Sequence, residues 1–342
     1  MNKIDRLRFL RHHRNLFEIQ AREDMYWFFR EQFRFGHREI LLNYLQKSWD
    51  NLIVGFLQHG SMMGGNWNWQ ELPQSFQENY PVFVWSKIAE DAARNQGMKH
   101  VKAIGSPWLY LLEMNGINSF ESHANAISEN KKDYLIVPDH GSGHFHAKEN
   151  YEILPHRFRK LIGNSSASVL LYYTEFCDSH IRKSWERYGF NLKCNGLAWG
   201  AEHRTLWTYN GGRPGFLKNA LDTILGHSNV ICESATTFGH YSVSLGVPTM
   251  IMEAENLPIA LGIVSEGKGV ERQRGFKKNA DMYAFQMFGN DFYNLNCSAE
   301  KIEKSRLALG IGSKLSKIEL MATLPLKANM IPVPESEMGI KG

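Results

Sequence analysis

Three short stretches bring together residue types that could do chemistry. In LQHGS (57–61), His59 precedes Gly60 and Ser61. A neutral imidazole can take a proton from an attacking hydroxyl near pH 7, and a glycine lets a substrate approach the backbone closely. A structural histidine bonded to a nearby carbonyl is the plain alternative. DHGSGHFH (139–146) gathers Asp139, His140, His144 and His146 on a glycine-rich loop. Imidazoles and carboxylates are common metal ligands. The HxxxHxH spacing matches no established metal motif, however, so His140 and His144 read better as groups that touch a substrate. In ESATT (233–237), Ser234, Thr236 and Thr237 supply hydroxyl donors just ahead of a helical run. The first N–H groups of a helix are unpaired and its dipole favours negative charge, so the turn is suited to a phosphate.

Other polar residues stand near these stretches. Glu233 ends a strand-like run and could bind a ribose hydroxyl, or it is simply solvated. Glu175, in YYTEF, reads the same way. Glu202 and His203, in GAEHR, precede a helix and could face a nucleotide base. Trp67 and Trp69, in GGNWNWQ, with Ser61, could bind an acceptor sugar, and buried packing explains the tryptophans equally well. Arg272 and Arg274, in the basic run EGKGVERQRGFKK (266–278), could shield donor phosphates, and a plain surface loop is the simpler reading.

The elements that must position these groups follow a rhythm. Apolar runs at 51–60, 81–86, 100–104, 133–141, 167–176, 191–200, 230–232 and 247–252 read as strands. Helical stretches such as KIAEDAARNQ (87–96), HIRKSWERYG (180–189) and FLKNALDTILGHS (216–228) follow several of them. Short apolar strands alternating with helices imply parallel sheets covered on both faces. Ligands bind beyond the carboxyl ends of such strands, where Gln58–Ser61, Gly105–Pro107, Asp139–Ser142, Thr174–Glu175 and Glu233–Thr237 all fall. Seven or so units suit two sheets, with a boundary in the polar stretch near 125–133. The expected organisation is 1–128 with a helical start, 129–300, and a helix with a loose tail over 301–342.

Composition is that of a soluble globular chain, with 43% apolar and 22% charged residues over 342 positions. The four cysteines form no CxxC pair, so reduced structural thiols in a cytoplasmic protein are expected. No run of about 18 apolar residues could span a bilayer, and no signal peptide is evident. A net charge of +4 does not call for nucleic acid. The N-terminal helix carries Arg6, Arg8, Arg11 and Arg14 on one face. A solvated face is the simpler reading, and peripheral contact with an anionic membrane is the other.

In order and spacing the motifs resemble bacterial glycosyltransferases of two-Rossmann (GT-B) architecture. More narrowly, they resemble enzymes of capsule, lipopolysaccharide and teichoic-acid assembly. LQHGS is similar to the strand-end His-Gly of CDP-glycerol glycerophosphotransferases. VWSKIAEDAARNQG…VKAIGSPWLY resembles their next two units. SNVICESATTFGHYSVSLGVPT is similar to the Ser/Thr phosphate motif and "Leu-Gly-x-Pro" of polysialyltransferase- and Kdo-transferase-like enzymes. The resemblance covers roughly residues 50–252. It implies an α/β fold with parallel sheets facing a central cleft, the acceptor on the N-terminal domain and the nucleotide donor on the C-terminal one. His59 would be the base, and Ser234, Thr236 and Thr237 would hold donor phosphate. A His-Pro dipeptide of the sialyltransferase type is absent, and His203 is its possible substitute. No DxD motif is present, so neither a divalent ion nor another cofactor is expected. Two other readings stay open: a metal-dependent hydrolase on the 139–146 cluster, and a non-catalytic nucleotide- or glycan-binding assembly subunit.

Overall fold

The computed structural model describes residues 32, 35–58, 60, 74–117, 133–139, 150–196, 215–252 and 288–328. The chain forms two compact units. The first takes Met1–Ile117, Leu197–Lys218 and Leu309–Gly342, and the second takes Asn118–Gly196 and Asn219–Ala308.

In the first unit the elements run α1 (His37–Tyr44), β1 (Leu52–Ile53), β2 (Phe56–Leu57), α2 (Gln74–Asn79), β3 (Val82–Val84), α3 (Lys87–Asn95), β4 (Val101–Ala103) and α4 (Pro107–Met114). Strands β2, β3 and β4 make a parallel sheet in that order. The apolar run at 51–60 predicts one strand. It forms two, broken at Gly55, whose φ of 144° and close approach to Pro81 O leave no room for a side chain. The helix starts follow their local chemistry. Ser86 accepts the Ala89 N–H at 3.2 Å to cap α3. Pro107 opens α4, where a missing N–H costs nothing. Buried Leu41, Leu52, Phe56, Val82, Val84 and Trp85 belong to the core of this unit.

The second unit contains β5 (Tyr134–Val137), α5 (Asn150–Ile162), β6 (Ala167–Leu170), α6 (Tyr173–Cys177), α7 (Ser179–Glu186), β7 (Asn191–Lys193), the greater part of α8 (Phe216–Leu225), β8 (Asn229–Cys232), α9 (Thr237–Ser244), β9 (Thr249–Ile251), a 3-10 turn (Gly289–Tyr293) and α10 (Ala299–Ala308). Among the described residues its five strands are all parallel, in the order β7-β6-β5-β8-β9. Ile136, Phe158, Val169, Trp185 and Ile231 pack into one core cluster. The α/β class with parallel sheets that the alternation implies is therefore the observed one. The alternation does not announce helix α5, since Pro155 lies inside it. The run at 167–176 predicts one long strand, yet β6 stops at Leu170 and Tyr173–Cys177 is helical.

Residues from Leu309 onward return to the first unit. There α11 (Lys317–Thr323) opens with a reciprocal cap between Ser316 and Glu319. Strand β10 (Leu326–Lys327) then pairs antiparallel with β1. Gly310, with φ 83°, lies directly against the carbonyl of Trp85. Leu309 O accepts the Ser106 N–H at 2.9 Å. Lys314 pairs with Glu113, its ammonium 5.1 Å from the Tyr110 ring. Among the described residues no helix is long and apolar enough to cross a membrane.

Candidate functional site

Strand order marks a candidate site in the second unit. Numbered from β5, the order is 3-2-1-4-5, so the chain leaves β5 toward one edge of the sheet and returns through β8 to the other. Between such strands the connections diverge to opposite faces and a crevice opens beyond the carboxyl ends. The residues there are Asp139, just past β5, and Glu233, Ser234, Thr236 and Thr237, just past β8.

These residues are bonded across the sheet. The Glu233 N–H donates to Val137 O at 2.9 Å, which extends the ladder one step past the last strand pair. Glu233 Oε2 accepts the Asp139 N–H at 2.8 Å, and the Ser234 hydroxyl donates to Asp139 Oδ1. Glu233 and Ser234 are only 6% and 5% exposed, whereas Asp139 is half-buried. Arg157, on α5, contributes a half-buried guanidinium. Burial holds it below the usual range, and the charge of Glu233 works the other way.

The turn into α9 is built by Thr236. Its Oγ1 accepts the Gly239 N–H at 3.4 Å and its hydroxyl points to Cys232 Sγ at 3.8 Å. Burial pushes the Cys232 thiol up to about 12, so this cysteine is a packed thiol and not a nucleophile at neutral pH. Thr237 is the first residue of α9 and half-buried. An oxygen ligand near this turn would meet helix N–H groups, one of them already capped by Thr236.

Glu175 stands apart from this group. The sequence pattern puts it at a strand end, but it lies in the first turn of α6, and its Oε2 accepts the Tyr172 N–H at 3.1 Å. The strand it follows, β6, is on the opposite side of β5 from β8. Gly105–Pro107, another loaded strand end, is covered. Ser106 is fully buried beneath Leu309, and Lys314 lies against Gly105. His59, Ser61, Trp67, Trp69, His140, His144, His146, Glu202, His203, Arg272 and Arg274 fall outside the described residues. The flanks of His59 are described. Gln58 Nε2 donates to Gly60 O at 2.6 Å, and Gln58 Oε1 accepts the Trp85 N–H at 2.8 Å. One side chain thus ties both neighbours of His59 to the end of β3. Among the described residues no group of three His, Cys, Asp or Glu could hold a metal ion.

Nothing in the sequence pattern singles out His240. It lies within α9, 4% exposed, its ring 5.6 Å from that of Phe288. Burial drives the imidazole down to about 4, against 6.5 for the free group. A group depressed in the folded state contributes stability that is complete above the unfolded pKa and lost as the pH falls through the folded one. For His240 that window runs from pH 6.5 down to about 4, and the loss is roughly 3 kcal/mol. Urea unfolding at intervals across this window is expected to show that loss. His240→Leu is expected to flatten the slope while other groups keep theirs.

No protein-family model and no curated protein matches the chain. Among solved structures it is similar to the UDP-GlcNAc 2-epimerase from Neisseria meningitidis bound to UDP-GlcNAc. The identity is 14%, the match covers 78% of this chain and 70% of that one, and the TM-score is 0.34, a likeness too distant to carry an assignment.

Proposed function

We propose that the chain is a nucleotide-sugar-dependent glycosyltransferase of the GT-B type that extends a bacterial surface glycan of the capsule or lipopolysaccharide class. The observation that carries this reading is the 3-2-1-4-5 parallel sheet. Its switch point gathers a helix N-terminus, threonine hydroxyls and acidic side chains from β5 and β8 at one crevice. A nucleotide-activated donor has the matching chemistry: anionic phosphates for the first turn of α9, and hydroxyls for the carboxylates. His59 is assigned as the base that takes the acceptor proton, and the leaving phosphate is stabilised at Thr236–Thr237 without a divalent ion. His140 is assigned a catalytic role beside His59, His144 and His203 are assigned to the donor side, and Ser61, Trp67 and Trp69 to the acceptor side. The enzyme works in the cytoplasm, where nucleotide donors are available, and meets a glycan or lipid-linked acceptor.

A thermal-shift panel of CMP, CDP, UDP, GDP and ADP tests the reading. One nucleotide is expected to raise the melting temperature by several degrees, since a ligand at 100 times its Kd adds about 2.7 kcal/mol. No shift with any of the five would defeat the proposal. With that nucleotide identified, His59→Ala is expected to leave binding within about twofold and to slow transfer by about 10²- to 10⁴-fold.

A further inference from the structure

We infer that Glu233 and Ser234 are positioning residues whose side chains hold Asp139 across the β5/β8 switch point, and that a hydroxyl-bearing ligand is met by Asp139. This rests on the reading of that crevice as a nucleotide-sugar site and changes which residue does the binding. Three bonds close the floor of the crevice within the chain itself. The main chain of Glu233 reaches Val137 O (2.9 Å), its carboxylate takes the Asp139 N–H (2.8 Å), and the Ser234 hydroxyl goes to Asp139 Oδ1. The residues joined by the two side chains are 94 and 95 positions apart, so the bonds fasten one strand end to another and not a turn to itself.

Burial then divides the roles. Glu233 and Ser234 are 6% and 5% exposed, so nearly all their surface already faces protein. Asp139 is half-buried and keeps surface toward solvent. The Ser234 proton is given to a carboxylate, which leaves its hydroxyl an acceptor and a poor partner for phosphate. Phosphate selection therefore falls to the α9 turn, and Asp139 selects hydroxyl donors. A buried carboxylate without a donor is costly, so the bond from the Asp139 N–H helps keep Glu233 in place.

The test uses the full chain carrying Glu233→Gln, Glu233→Ala or Ser234→Ala. It has two readouts: hydrogen exchange at the Asp139 amide without ligand, and affinity for the nucleotide singled out by the melting panel. The wild-type amide is expected to be protected. Glu233→Gln keeps an oxygen that accepts the same N–H, so protection and affinity should stay within about threefold. Glu233→Ala should speed exchange and weaken binding by about tenfold or more, the worth of one hydrogen bond. Should that variant fail to fold, Ser234→Ala replaces it, with the same direction of change. Rapid exchange at Asp139 in the wild type would overturn the inference. So would a Glu233→Gln variant that loses nucleotide as fully as Glu233→Ala while Asp139 stays protected, because Glu233 would then touch the ligand itself. If none of the nucleotides binds the wild type, the donor reading fails, and the exchange data still decide whether the strand ends are held.

Discussion

Gly310→Ala is expected to unfold the first unit at temperatures where the wild type is intact. Gly310 has φ 83°. L-residues enter that left-handed region at a cost of about 1–2 kcal/mol. The larger penalty is steric. A Cβ there would overlap Trp85 O and lie 2.6 Å from its carbonyl carbon. Both atoms are backbone and end a parallel strand, so neither can rotate away. Relief requires lifting the segment, which breaks the Ser106–Leu309 bond (2.9 Å), the Leu315 N–H to Tyr110 hydroxyl bond (3.0 Å) and the Lys314–Glu113 pair. The total exceeds about 4 kcal/mol, the range reserved for severe lesions, against native stabilities of about 5–15 kcal/mol. Circular dichroism melting should show a drop of about 10 °C or more. Gly97→Ala is the control. It also has positive φ (94°) but nothing within 4 Å of the added carbon. It should therefore cost only about 1–2 kcal/mol. Equal effects of the two would rule out the packing account.

Lys301→Met is expected to be a severe lesion in the second unit. The Lys301 side chain is 4% exposed, and its ammonium is ringed by oxygen. Thr249 O lies at 2.6 Å, Asp291 O at 2.7 Å, Asn294 O at 3.0 Å, Asn296 Oδ1 at 3.2 Å and Asn296 O at 3.5 Å. One cation therefore joins the start of β9 to the turn that precedes α10. Methionine matches the length and removes the charge, which strands the buried Thr249 carbonyl and the part-buried oxygens of Asp291, Asn294 and Asn296, at about 1–3 kcal/mol for each buried one that finds no other donor. A loss of about 3–5 kcal/mol in urea unfolding is the expected result. Lys301→Arg should not rescue it, because a planar fork cannot reach oxygens arranged around a point. A Met variant as stable as wild type would mean that the oxygens find water when the ammonium leaves.

Local signals in the sequence locate the elements well where the chemistry is local. The stretch from Asn229 to Met252 folds as strand, hydroxyl turn, helix and strand because Thr236 caps, Gly246 stops and the apolar runs are short. Local signals mislead where two preferences compete over a few residues. Leu171–Phe176 is rich in aromatic strand formers. A helix nevertheless starts there, with the Glu175 carboxylate accepting the Tyr172 N–H, and it is hidden because no serine, threonine, aspartate or asparagine stands at the N-cap to announce it. Strand order is not legible at all. Alternation implies a parallel sheet, but nothing near β5 announces that its neighbours are β6 and β8. The bonds among Asp139, Glu233 and Ser234 are hidden for the same reason. The residue types are visible at both strand ends, while the contact joins positions 94 and 95 apart.

The return of residues 309–328 to the first unit sets an order for biosynthesis. On the ribosome, β1 emerges long before its partner β10, and Trp85 waits for Gly310. The five-stranded sheet of the second unit is complete once Ile251 is out, and α10 follows with Ala299–Ala308. Folding proceeds as segments become available, and long-range pairing is slow. The first unit to be translated is thus the last to be completed. Until then its short parallel sheet lacks the cover that Leu309–Lys314 provides, and that interval is when a chaperone would be needed most.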